Sequence, residues 1–214
     1  GCPYHFVDWI PAVLGAADAM GWTDFTLLGH SMGAAIGSLL GSVAGPRLER
    51  MVWIDALGVW THPDDQAPTQ LARSLREREI LGEKSPRRMI DLEQAISVLG
   101  SAYADLSPES LEILLGRGLR QTEEGVEFRY DLQLRAASPM RLTEAQMIAF
   151  MNAITCPVFL VRPRQGWPSD EDTMKRRLEA VPDIRLMEID GGHHAHLEYP
   201  ERMADEIGKF LRGR

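Results

Sequence analysis

Apolar residues recur at helical spacing at Phe6, Ile10, Val13, Leu14 and Ala17, which predicts an amphipathic helix over residues 6–20. Gly21 closes it, as glycine does just past a helix end. Residues 25–28 form an apolar run too short for a helix and read as a buried strand. A glycine-bounded turn follows at 29–33. Residues 34–43 are apolar and rich in small side chains, which suits a helix packed tightly inside a domain. A second buried strand is predicted over 51–54. Residues 60–150 change character, with more charge and helical rather than strand periodicity. Within them Ser107-Pro108-Glu109 reads as an N-cap with proline at the first helical position. Thr143 to Gln146 has capping-box spacing and opens a helix to about residue 154. Strand signals return at 158–162 and 184–189. Ser169 is expected to cap a helix over 170–181. Pro200 starts a last helix with Met203, Ile207, Phe210 and Leu211 on its apolar face.

This order of elements predicts an α/β fold, a mostly parallel sheet with helices on both faces. The organisation reads as a core part over 1–59, a helical lid insertion over 60–150 and a C-terminal core part over 151–214. With 214 residues and 44% hydrophobic content, the chain fits one domain with a sizeable core. Its net charge of −8 disfavours nucleic acid as a partner. The basic run Lys84, Arg87 and Arg88 reads as a solvated helix face. No apolar run is long enough to span a membrane. Cys2 and Cys156 lie far apart, which fits reduced thiols in a cytoplasmic protein. No cofactor motif is read, and nothing speaks to oligomeric state.

The chemistry concentrates in two segments. The first is Gly29-His30-Ser31-Met32-Gly33, a Gly-x-Ser-x-Gly between a buried strand and a helix. There a serine occupies a sharp turn that lifts its hydroxyl clear of the sheet, so Ser31 is the candidate nucleophile. Glycine at both flanks is expected to avoid collisions with strand and helix. The backbone N–H of Met32, at the positive end of the helix, is a candidate oxyanion donor. The second segment is Asp190-Gly191-Gly192-His193-His194-Ala195-His196. A histidine on that loop can serve as general base, and three compete for the role. Their spacing along one loop is poor for a closed metal site, so no metal is expected.

Gly29-His30-Ser31-Met32-Gly33-Ala34 resembles the nucleophile elbow of the α/β-hydrolase superfamily. The lid positions Gly116-Arg117-Gly118, Gly125, Arg129 and Asp131 are similar to the serine hydrolase-like protein group within it. In that superfamily a Gly-His pair is followed five residues later by glutamate and then by a helix-opening proline. Gly192-His193 with Glu198 and Pro200 matches, and the resemblance therefore selects His193. It also implies a triad acid after the strand at 158–162, but Arg162-Pro163-Arg164-Gln165-Gly166 contains no carboxylate. Two candidates remain. Asp55, at the end of the strand after the elbow helix, is preferred on triad roles. Asp170 is the alternative, and it also reads as an ordinary first-turn helix residue.

The resemblance further implies four strands and a second oxyanion donor upstream of Gly1. On that reading the 214 residues alone are expected to be poorly active. One lost donor costs roughly 2.7–4 kcal/mol of transition-state stabilisation. The implied function is a serine hydrolase acting on small-molecule ester or other acyl substrates through an acyl-serine. Trp60, Leu71, Leu75, Leu92 and Ile96 would shape an apolar pocket or pack within the lid. A haloalkane dehalogenase or epoxide hydrolase would want an aspartate nucleophile. The alternative is a non-catalytic binding or scaffold protein on the same fold.

Overall fold

The computed structural model describes residues 4–213. It divides into two compact units, Gly1–Leu71 with Ser138–Arg214, and Ala72–Ala137. Cys2 lies outside the described residues, and Cys156 is a buried free thiol.

The first unit holds a four-stranded parallel sheet in the order β1-β2-β6-β7. Its strands are β1 (Phe25–His30), β2 (Leu48–Ile54), β6 (Val158–Gln165) and β7 (Ile184–Gly192). The unbroken apolar runs of β2 and β6 are buried on both faces, as a covered parallel sheet demands. Met51, Trp53, Val158 and Leu160 point into one core with Leu39, Leu40, Met147 and Met151. Val52, Ile54, Phe159 and Val161 point into the other with Ile189, Met203 and Phe210. Helices α1 (Trp9–Ala19), α2 (Met32–Val43), α6 (Glu144–Asn152) and α7 (Glu171–Ala180) supply the first core. The short α8 (Ala195–Glu198) and α9 (Pro200–Leu211) supply the second.

Local signals fixed several helix starts. Thr143 and Gln146 make both bonds of the capping box. The α7 cap, however, is Asp170 rather than Ser169: its carboxylate accepts from Thr173 N–H at 2.8 Å. An ionised carboxylate serves the helix N-terminus better than a hydroxyl does.

The second unit is not purely helical. The end of α3 (Ala67–Gly82), α4 (Leu92–Leu99) and α5 (Pro108–Gly118) accompany an antiparallel sheet in the order β3-β5-β4. Its strands are β3 (Arg88–Met89), β4 (Leu119–Thr122) and β5 (Gly125–Phe128). They run for only two to four residues, too few for alternation to stand out from a helical pattern. Gly125 has φ +127°, and a Cβ there would run into the Met89 carbonyl. The Ser107 cap and Pro108 open α5 as expected. Leu92 and Ile96 pack into this unit's own core with Leu111 and Leu115, while Leu75 is exposed. The basic run also departs from expectation. Lys84 and Arg87 lie outside helix, and Arg88 sits on β3, paired with Glu124 and Glu127.

One buried ion pair ties the first unit together. Arg177 on α7 donates to both Glu144 oxygens, at 2.9 and 2.6 Å, and to the Leu57 carbonyl at 2.7 Å. Those hydrogen bonds hold the Glu144 carboxyl below its ordinary pKa. Glu144→Ala leaves a buried guanidinium short of its half-buried partner and should cost about 1.5–3 kcal/mol, the range for a hydrogen bond to a charged group, read by urea denaturation. The sign with pH follows from the lowered value. The pair's contribution is whole above 4.5 and fades as pH falls through the folded-state value. The stability gap between the wild type and Glu144→Gln should therefore be flat near neutrality and shrink in acid.

Candidate active site

All three site segments lie at the carboxyl ends of the parallel strands, the edge where α/β sheets place their chemistry. Ser31 follows β1 directly and precedes α2. Its backbone sits at φ 54° and ψ −117°, a conformation that non-glycine residues rarely adopt. The bend is held by two backbone bonds. Ser31 N–H donates to the Ile54 carbonyl at 2.8 Å, and Ala35 N–H donates to the Ser31 carbonyl at 3.0 Å. A Cβ at Gly29 would lie 2.5–2.6 Å from backbone atoms of Gly33 and Ala34, so only glycine fits. Gly33 differs from expectation, because a Cβ there meets nothing within 4 Å. The tight approach is of Gly29 onto the backbone of residue 33, not the reverse. Met32 is the first residue of α2, at the positive end of the helix.

His193 follows β7 immediately. Its Nδ1 lies 2.6 Å from Asp55 Oδ2. Asp55 follows β2 with φ 50°, and its side chain is 5% exposed. The same Oδ2 accepts from the Trp167 N–H at 2.9 Å. Gly166 makes this approach possible, since a Cβ there would overlap the Asp55 carboxylate. The start of the loop after β6, Gly166 to Ser169, carries no acid and provides a donor to the acid that follows β2. Gln165 also accepts from Gly191 N–H at 2.7 Å, tying this loop to the segment before His193. Asp170 is exposed and engaged as the α7 cap. Of the two acid candidates, the one brought to His193 is Asp55.

Sequence reasoning passed over His30. Its Nε2–H donates to the His193 carbonyl at 2.7 Å, linking the residue before Ser31 to the base loop. Its ring lies 4.6 Å from that of His193 and 4.3 Å from that of His196. Burial drives the His30 pKa down to about 3. Burial, then the neighbouring imidazoles, lowers that of His196 to about 4. Both rings are neutral at pH 7. One nitrogen each from His30, His194 and His196 lies within 4.8 Å of the others. The loop spacing gave no hint of this group, because its third member comes from the elbow. The Trp167 ring stands 5.4 Å from His193 and 5.3 Å from Trp60, and both tryptophans are about half exposed.

Comparison with known proteins identifies the fold. Residues 1–206 match the Alpha/beta hydrolase family. A serine hydrolase-like protein of Dictyostelium discoideum is 23% identical over 225 residues, covering 98% of this chain and 62% of that protein. The chain thus spans under two thirds of that relative's length. The crystal structure of a hypothetical protein from Pseudomonas aeruginosa PAO1 is similar with TM-score 0.89 and 34% identity, covering all of this chain and 76% of that one. The thioesterase domain from the curacin biosynthetic pathway shares the fold at TM-score 0.76 and 20% identity, covering 95% of this chain and 72% of that one.

The closest steric constraint of the elbow generates a test. Gly29→Ala should cost at least about 1–3 kcal/mol through overpacking against fixed backbone. Gly33→Ala, with open space around its Cβ, should be tolerated. Urea denaturation of the two variants side by side reads the difference.

Proposed function

This chain belongs to the Alpha/beta hydrolase family, and on that premise we propose that it is a serine hydrolase acting on small esters or related acyl compounds. The observation that carries this reading is the bond that His193 Nδ1–H donates to Asp55, after the strand next to the Ser31 elbow. A carboxylate on Nδ1 keeps the proton there and leaves Nε2 as the basic nitrogen. His193 Nε2 takes the Ser31 hydroxyl proton as Oγ attacks the substrate carbonyl. The C=O π pair moves onto oxygen, and the Met32 N–H is one donor to that oxyanion. Collapse breaks the bond to the leaving group, which receives the proton from His193. Water, deprotonated by the same nitrogen, then attacks the acyl-serine, and Ser31 departs with its proton restored. Asp55 stabilises the imidazolium at both stages without taking its proton.

The choice of acyl over other electrophiles rests on the nucleophile. A serine oxygen forms a hydrolysable ester, and the curacin-pathway thioesterase domain shares the fold. Trp60 and Trp167, their rings tilted at 41° to one another, offer an apolar surface next to His193, suited to the acyl portion of a small substrate.

Labelling with a fluorophosphonate probe in the full-length protein tests the reading. Ser31→Ala should abolish labelling. Asp55→Asn should slow it by on the order of 10⁴, through loss of the correct imidazole tautomer. Asp170→Asn keeps a side-chain oxygen at the helix cap and should label at the wild-type rate. A folded wild-type protein that takes no label at Ser31 would instead identify a non-catalytic binding protein on this fold.

A further inference from the structure

We propose that His30, His194 and His196 form a binding site for a borderline divalent cation, Zn²⁺ foremost, beside the Ser31–His193 pair. The three rings come from two separate strand ends. His30 is the last residue of β1, and the other two lie in the turn and short helix after β7. One candidate ligand atom from each lies within 4.8 Å of the others. The ring centroids are 4.3 Å apart for His30 and His196, 5.1 Å for His30 and His194, and 5.7 Å for His194 and His196.

Two details go beyond proximity. His30 donates its Nε2–H to the His193 backbone carbonyl, so its lone pair is on Nδ1. A backbone carbonyl on the far nitrogen is the outer contact that metal-bound imidazoles characteristically make. The Nδ1 of His196 is buried with no hydrogen-bond partner among the described residues. A buried polar atom left in that state costs roughly 1–3 kcal/mol, which coordination through that nitrogen would remove.

The donor set selects the metal. Three imidazoles suit Zn²⁺, Cu²⁺ or Ni²⁺, whereas Ca²⁺ and Mg²⁺ want oxygen. The Asp55 carboxylate is already committed to His193 and Trp167. Zn–N bonds of about 2.0–2.1 Å in a tetrahedron place nitrogens roughly 3.3 Å apart. Closing the group from its widest spacing therefore takes a movement of about 1.5 Å, within reach of imidazole rotation on a short turn. Three protein ligands leave a fourth position for water. A bound ion would staple the loop bearing His193 to the elbow bearing Ser31. Nothing in the proposal requires Ser31 to react.

The test uses metal-free full-length protein. Zn²⁺ is titrated in competition with a chromophoric chelator, and Co²⁺ is titrated by visible absorption. One ion per chain is expected. Co²⁺ should give the strong visible bands of a four- or five-coordinate nitrogen site. His194→Ala and His196→Ala should each weaken Zn²⁺ binding by at least the roughly 10–100-fold that even an outer-contact mutation costs. Ser31→Ala and the remote His5→Ala should bind as the wild type does. Circular dichroism establishes that each variant is folded. Absence of stoichiometric binding by the wild type, or a Co²⁺ spectrum no stronger than the aqua ion's, overturns the proposal without recourse to any variant. So does unchanged affinity in both folded histidine variants.

Discussion

The Asp55 carboxylate gathers three strand ends. It belongs to the residue after β2, accepts from the loop after β6 through Trp167 N–H, and holds the imidazole that follows β7. Almost no solvent reaches it, so each of those contacts acts in a medium where a hydrogen bond to a charge is strong. Its position depends in turn on backbone pairing. Asp55 N–H donates to the Val161 carbonyl, which sets the end of β2 against β6. A slip of one residue in that register would turn the carboxylate to the opposite face of the sheet.

Backbone strain is stored in the same place. Ser31 and Asp55 are non-glycine residues with φ of 54° and 50°, on neighbouring strand ends. Each such residue costs on the order of 1–3 kcal/mol and survives only where surrounding structure over-determines it. Here the determinants are visible. Ser31 N–H is held by the Ile54 carbonyl, and Gly29 closes against the backbone of residues 33 and 34. The two apolar cores on either side of the sheet supply the stability that such strain draws upon.

The Ala72–Ala137 unit is stabilised by different means. Its core of Met89, Ala95, Leu111, Leu115, Leu119 and Val126 is small. Glu127 is nearly buried on the short sheet and accepts two bonds from Arg120, with Arg88 on its other side. A charge buried that deeply holds its place because it is paired across the strands.

The sequence by itself determined the local features. The elbow was legible because a strand, a Gly-x-Ser-x-Gly and a helix are contiguous. The helix starts at Ser107 and Thr143 were legible because a cap and its partner lie within four residues. Parallel architecture followed from apolar runs without alternation. Tertiary structure alone decided which of Asp55 and Asp170, 115 positions apart and beyond the reach of any spacing rule, lies against His193. The pairing of β2 with β6, and of β6 with β7, brings one of them to His193, while the N-terminus of α7 claims the other. The role of His30 was hidden for the same reason: its partner is the carbonyl of a residue 163 positions away. The short strands β3 to β5 were invisible because a strand of two to four residues carries too few side chains to show a period. Chemistry confined to one turn of chain can be read from the order of residues. Chemistry assembled from several strand ends depends on register, which only the folded sheet fixes.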